Sequence, residues 1–243
     1  MSFFKAKRFW TDVTVAQADQ GYVIHLDGRV VKTPLKQDLV LPTQAAAELV
    51  ATEWDAAEGE LNPAAMPATR WANVSVDKMG PQFDGVVDML AAYGGNDLLC
   101  YRATHPQELI ARQAAVWDPP LQWAADHLGA PLLVTKGVIP IDQPNQSLAR
   151  LRTVVGGFDC FELAAFHDLV QISGSLVLAL AVAHREMEVN AAWEVARVDE
   201  IWQIEQWGED EEAMATAELK RQSFVFADRL MTSVSKSGGQ ASY

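Results

Sequence analysis

At 243 residues with 49% apolar side chains, the chain can bury one large core or two small ones and is not a disordered segment. Its formal net charge of −13 argues against nucleic acid and anionic lipid, which call for clustered Lys and Arg. The same charge suits a protein partner with a basic patch. Two cysteines far apart, Cys100 and Cys160, read as reduced thiols of a cytosol-like compartment rather than as a disulfide framework.

The opening residues, Met1 to Trp10, lack the apolar stretch of a signal peptide and are too short for a transit peptide. Val13 and Val15 mark a first strand. Tyr22 to Leu26 alternates as a second, with Tyr22, Ile24 and Leu26 on one face. Asp27-Gly28 supplies the two positive-φ positions of a type I′ turn, and Arg29 to Lys32 returns. Leu39 to Leu41 forms a later strand between Pro34 and Pro42. Thr43 caps a helix through Ala57, closed by Gly59, whose apolar stripe is Ala46, Val50, Trp54 and Ala57.

From Ala68 onward the pattern is mainly helical, with Pro67 and Pro106 at helix starts. Asp118-Pro119-Pro120 is expected to separate one helix ending near Trp117 from another ending at Gly129. Leu98 to Tyr101 and Leu132 to Thr135 could pair as a small ribbon, and Pro140 to Gln146 reads as a loop. Phe161 to Ala183 and Val189 to Trp207 read as two long helices, and a last helix spans Glu211 to Val234. The apolar run Leu169 to Ala183 is interrupted by Gln171, Ser173, Gly174 and Ser175. A bilayer span needs about 18 or more uninterrupted apolar residues, so this is a core helix. The expected fold class is α+β. A small β-rich α/β unit with one covering helix occupies residues 1–65, a larger helical bundle 66–234, and a flexible tail 235–243.

Chemistry is hard to find. Gly94-Gly95 lacks the Lys and third glycine of a phosphate loop. Ser173-Gly174-Ser175 lacks the flanking glycines of a nucleophile elbow. The histidines are scattered, and neither His184-Arg185-Glu186 nor His167-Asp168 has the companions of a metal site. No catalytic residue, cofactor site, metal site or small-molecule substrate is expected.

Carboxylates are the exception. Arg185 to Glu218 holds eleven acids against two bases, Arg185 and Arg197. Such a run is ordinarily a solvated face. On a single helix from Val189 to Trp207, however, Asp199, Gln203 and Gln206 form one polar stripe and Glu194 and Glu205 a second. Apolar side chains lie between the stripes, among them Val195, Val198 and Trp202 on one flank and Trp193 and Ile204 on the other. Two apolar stripes imply deep burial, or a core face plus a partner face, and Trp193, Trp202 and Trp207 are of the type that anchors interfaces.

Taken in order, several segments resemble one family. They are Arg8-Phe9-Trp10 with the hairpin ending Lys32-Thr33-Pro34; Ala51-Thr52-Glu53-Trp54; Asp97-Leu98-Leu99-Cys100-Tyr101-Arg102; Trp117-Asp118-Pro119; and Asp199-Glu200 with Gln203, Trp207-Gly208 and Glu211. The chain is similar to the assembly chaperones that receive the new alpha subunit of F-type ATP synthase before it joins the beta subunit. The resemblance spans residues 8 to about 212. It implies a two-domain fold, function by protein binding, and an acidic C-terminal segment that matters. It also implies a bacterial, cytoplasmic member, since mitochondrial relatives carry a targeting extension ahead of the first motif. The residues expected to meet the alpha subunit are Glu200, Trp202, Gln203, Trp207 and Glu211; Glu53 and Trp54 are either structural or partner-facing. Two rivals stand beside this reading. One is a small-molecule enzyme using Glu200 and Asp199 as acid and base in a deep pocket. The other is a subunit bound permanently in a complex.

Overall fold

The computed structural model describes residues 7–235; the opening six residues and most of the expected tail lie outside that range. Contacts divide the chain into two compact units. The first takes residues up to Phe83, Cys160–Ala164 and the residues from Leu230 on, and the second takes Asp84–Asp159 and Ala165–Arg229. The sequence suggests a break after residue 65, whereas this division falls after Phe83.

The first unit is built on a four-stranded antiparallel sheet. β1 (Val13–Ala18) pairs with β2 (Gly21–Leu26) in the register Val13↔Leu26 to Ala18↔Gly21, and β3 (Arg29–Val30) and β4 (Val40–Leu41) pair along β2. Asp27 and Gly28 take φ of 49° and 77° at the hairpin turn, as a type I′ turn demands. The Asp27 carboxylate also accepts the Thr11 and Asp12 N–H groups at 3.0 and 2.9 Å, which pulls its pKa down.

Helix α1 (Gln44–Ala56) is capped by Thr43, whose hydroxyl accepts the Ala46 N–H. It packs on β1 and β2, burying Ala46, Ala47 and Val50 against a core that includes Ile24, Leu26, Leu39 and Leu41. α2 (Pro67–Val74), a π-helical turn (Ser75–Met79) and α3 (Gly80–Ala91) follow one another directly. The π turn places Asp77 to accept the Thr33 hydroxyl at 2.6 Å and the Leu35 N–H at 3.1 Å, fixing the loop after β3.

In the second unit, β5 (Tyr101–Arg102) runs parallel to β6 (Thr135–Lys136). The expected ribbon forms, but each of its strands starts three residues further along. Leu98–Cys100 instead makes a 3₁₀ turn, because the Asp97 carboxylate takes the Leu99 N–H. α4 (Gln107–Leu128) runs straight through Pro119 and Pro120, which corrects the expected break. Two missing N–H donors are outweighed there by the buried stripe of Trp117, Leu121, Trp123 and Ala124. α5 (Asn145–Val155) starts inside the expected loop.

The two long helices expected next are each broken. α6 (Cys160–Ser173) and α7 (Leu176–Ala183) are separated by Gly174, at φ +69°, and by Ser175, which caps α7 through Leu178 N–H. A residue with a side chain would be strained at that φ, so glycine sets the break. α8 (Val189–Ala196) and α9 (Val198–Trp207) are separated by Arg197, at φ −112° and ψ 20°. α10 (Glu211–Val234) closes the order. α7 is the hub: Leu176 through Val182 are all buried, and α4 and α8 pack on it.

Asp97 holds this arrangement together. It is wholly buried and accepts the Ser175 hydroxyl at 2.7 Å and the Val177 N–H at 3.0 Å, besides Leu99 N–H. Burial pushes its carboxyl pKa up, and the hydrogen bonds offset only part of that.

Candidate functional site

Helix α9 has two polar faces with opposite fates. Asp199, Trp202 and Glu205, spaced by three, turn toward α4. The Gln113 amide donates to Asp199 Oδ1 at 2.7 Å while its own oxygen accepts the Ala103 N–H at 2.8 Å. The Arg112 guanidinium lies 6.0 Å from the Trp202 ring centroid and grips both oxygens of Glu205 at 2.5 and 2.8 Å. This bidentate bond pulls the Glu205 pKa down and pushes that of Arg112 up. One helix earlier, the carbonyl of Val195 accepts the indole N–H of the fully buried Trp117 at 2.8 Å. Arg102 stacks 5.3 Å from that indole and bonds Asp118 at 2.7 Å. The motif residues Arg102, Trp117 and Asp118 therefore build the platform on which α8 and α9 sit.

The other face carries Glu200, Gln203 and Trp207, all exposed. Trp207 is 79% exposed, a rare state for a side chain of that size. No described residue bonds the Glu200 carboxylate. Gly208, at φ +89°, ends the helix, and Asp210 caps α10 by accepting the Ala213 N–H at 2.8 Å. The chain thus reverses between α9 and α10 and leaves a groove.

Two adjoining hollows make up that groove. The larger, of about 820 Å³, is walled by Gln171 and Ser173 of α6, Asp199 and Glu200 of α9, and Glu212 and Lys220 of α10. The smaller, of about 290 Å³, is walled by Ile204, Trp207 and Met214. Arg197, Glu200, Gln203, Asp210 and Ala213 line both.

Of the residues expected at the site, the structure brings Glu200, Gln203 and Trp207 together on the groove. Trp202 is half-buried under Arg112, and Glu211 is exposed in the first turn of α10; neither lines the hollows. The stripes drawn on one long helix do not survive the break at Arg197: Glu194 and Glu205 belong to different helices, and Trp193 packs in the core, 6.0 Å from Phe224. Among the described residues no cluster of three or more His, Cys, Asp or Glu could hold a metal ion, and no helix is long and apolar enough to cross a membrane.

A family model for the ATP12 chaperone protein matches residues 7–125. The solved structure of Atp12 from Paracoccus denitrificans superposes with a TM-score of 0.91 at 44% identity, covering 96% of this chain and all of that one. The chain belongs to the ATP12 chaperone family. A protein of Agrobacterium tumefaciens shares the ATP12 fold with this chain at a TM-score of 0.89 and 39% identity, over 94% of this chain and 86% of that one. The mitochondrial protein atp12 of Schizosaccharomyces pombe is 22% identical over 219 residues, 85% of this chain and 75% of the relative. The α+β reading agrees with these ATP12 structures.

In this ATP12 family member the Glu53-Trp54 corner is tied within its own unit. The Glu53 carboxylate accepts the Ala68 N–H at 2.6 Å and the Thr69 N–H and hydroxyl at 2.7 Å each, capping the start of α2. The Trp54 carbonyl accepts the Trp10 indole N–H at 3.2 Å, the two rings lie 5.1 Å apart, and Arg8 donates to the Asp55 and Ala57 carbonyls at the C-terminal end of α1. Sequence reasoning missed Arg112 and Gln113, which fix the orientation of α9. Their polar pattern in the middle of a 22-residue helix reads as an ordinary solvated face, and only the tertiary contact reveals their role.

Proposed function

We propose that this ATP12-family chain is an assembly chaperone of F-type ATP synthase that binds the free alpha subunit and shields the surface which that subunit turns toward beta. Surfaces of that kind are large and apolar, and exposed alone they promote aggregation. The observation that carries the reading is the open face of α9: Trp207, 79% exposed, stands beside Glu200, whose carboxylate no described residue bonds, on a helix whose opposite face is clamped. Trp207 would bury against apolar surface of the client. Glu200, and Glu211 at the rim, would meet basic groups, with Gln203 hydrogen-bonding between them and Trp202 holding α9 in place beneath Arg112. No bond is made or broken. Arrival of the beta subunit displaces the chaperone by mass action where the footprints overlap.

Co-expression with an isolated alpha subunit tests the reading. Co-purification and suppressed aggregation of the alpha subunit are expected, and the double variant Glu200→Ala/Glu211→Ala should capture less while unfolding normally. Failure to capture the alpha subunit would overturn the choice of partner. Undiminished capture by the double variant would overturn the site.

A further inference from the structure

The groove between α9 and α10 is graded. Its smaller hollow is walled by Ile204, Trp207 and Met214, the latter two 79% and 38% exposed. Glu200 and Asp210 stand where the two hollows join, and Asp199 and Glu212 add two more carboxylates to the larger one. Against those four carboxylates stand two cations, Lys220 and Arg197, the latter lying over the Trp193 ring at 5.2 Å. Lining charge is therefore net negative, graded from an apolar end to an acidic middle. A flat client surface could touch the rim of such a cleft but could not fill it.

Size and spacing narrow the occupant. Two turns of helix occupy a cylinder roughly 10 Å across and 11 Å long, on the order of 850 Å³, which is comparable with the larger hollow at about 820 Å³. Glu200 and Trp207 are seven residues apart on one helix, a rise of about 10 Å. An occupant helix lying along α9 would meet both with side chains seven positions apart on its own face. A cleft between two helices with an apolar floor is the form that receives an amphipathic helix.

Resting on the reading above, we infer that the groove takes a single helix of the client, one that carries an aliphatic or aromatic residue against Trp207 and a Lys or Arg two turns away against Glu200 and Asp210. The acidic middle selects against client helices that carry carboxylates at that position. It also disfavours a second copy of this acidic chain.

The test uses the full chain in complex with an intact alpha subunit, with photo-reactive benzoylphenylalanine in place of Met214 and cross-linked peptides identified by mass spectrometry. Cross-links should fall within one helix of the alpha subunit. Changing the Lys or Arg that lies about two turns from the cross-link on that helix to Glu should lower capture at least tenfold, and Glu200→Lys in the chaperone should restore most of it. Cross-links confined to strands or loops, or a charge reversal that Glu200→Lys does not rescue, would overturn the helix while leaving alpha-subunit capture standing. Cross-links between two copies of this chain would show a self-association site instead. An alpha subunit that is not captured at all would remove the underlying reading, and this inference with it.

Discussion

Glu53-Trp54 and Glu200 with Trp207 are the same pair of residue types, an acid beside a tryptophan, and they end in opposite states. Glu53 spends its carboxylate on three bonds at the start of α2, and Trp54 is half-buried against Trp10. Glu200 has no bond partner among the described residues, and Trp207 stands in solvent. Residue type does not separate a structural corner from a binding face. What separates them is whether the chain supplies its own partner within reach.

That contrast can be pressed with substitutions whose cost in stability falls step by step. The largest loss is expected where a carboxylate is wholly enclosed. Asp97→Ala leaves two N–H groups and the Ser175 hydroxyl without an acceptor, and urea unfolding should show a loss on the order of 3 kcal/mol. Next comes Glu53→Ala, which uncaps α2 and should cost about 2 kcal/mol in the same measurement with capture of the alpha subunit unchanged. If Glu53→Ala abolished capture without lowering stability, the contrast between the two corners would collapse.

A smaller effect appears only with pH. The Arg221 and Gln222 hydrogen bonds hold the Glu218 pKa down, from 4.5 to about 2. A carboxyl depressed on folding contributes stability above its unfolded pKa and loses it as pH falls. Acidification from pH 4.5 toward 2 should therefore weaken the native chain slightly more than it weakens Glu218→Gln, as read by paired urea midpoints. Smallest of all in stability is Trp207→Ala, within about 0.5 kcal/mol of the parent. Yet it should reduce alpha-subunit capture at least tenfold, so the ranking by stability and the ranking by binding run in opposite directions.

The fold was legible where local chemistry decides it. The Asp27-Gly28 turn, the Thr43 cap and the span Glu211–Val234 all follow from residues within a few positions. It was illegible where distant packing decides. Pro119-Pro120 read as a break and lie inside α4, because buried neighbours hold the helix through them. Arg197 carries no sequence signal of a break, yet it divides α8 from α9 and invalidates any wheel drawn across it. At the site, Glu200, Gln203 and Trp207 are named through the family resemblance, whereas helical spacing alone groups Gln203 with Asp199 and Gln206. The clamp that turns Trp202 inward is legible in neither, since Arg112 lies ninety positions away from Trp202.

The buried run of α7 has a further consequence. Leu176 through Val182 carry no charge and no polar side chain, and such uncharged apolar stretches drive intermolecular association once exposed. Heating this chain past its transition should therefore end in coagulation rather than in a reversible melt, with an endpoint set by the rate of opening. A protein that keeps another chain from clumping would then carry, at its own centre, the segment most in need of the same service during synthesis.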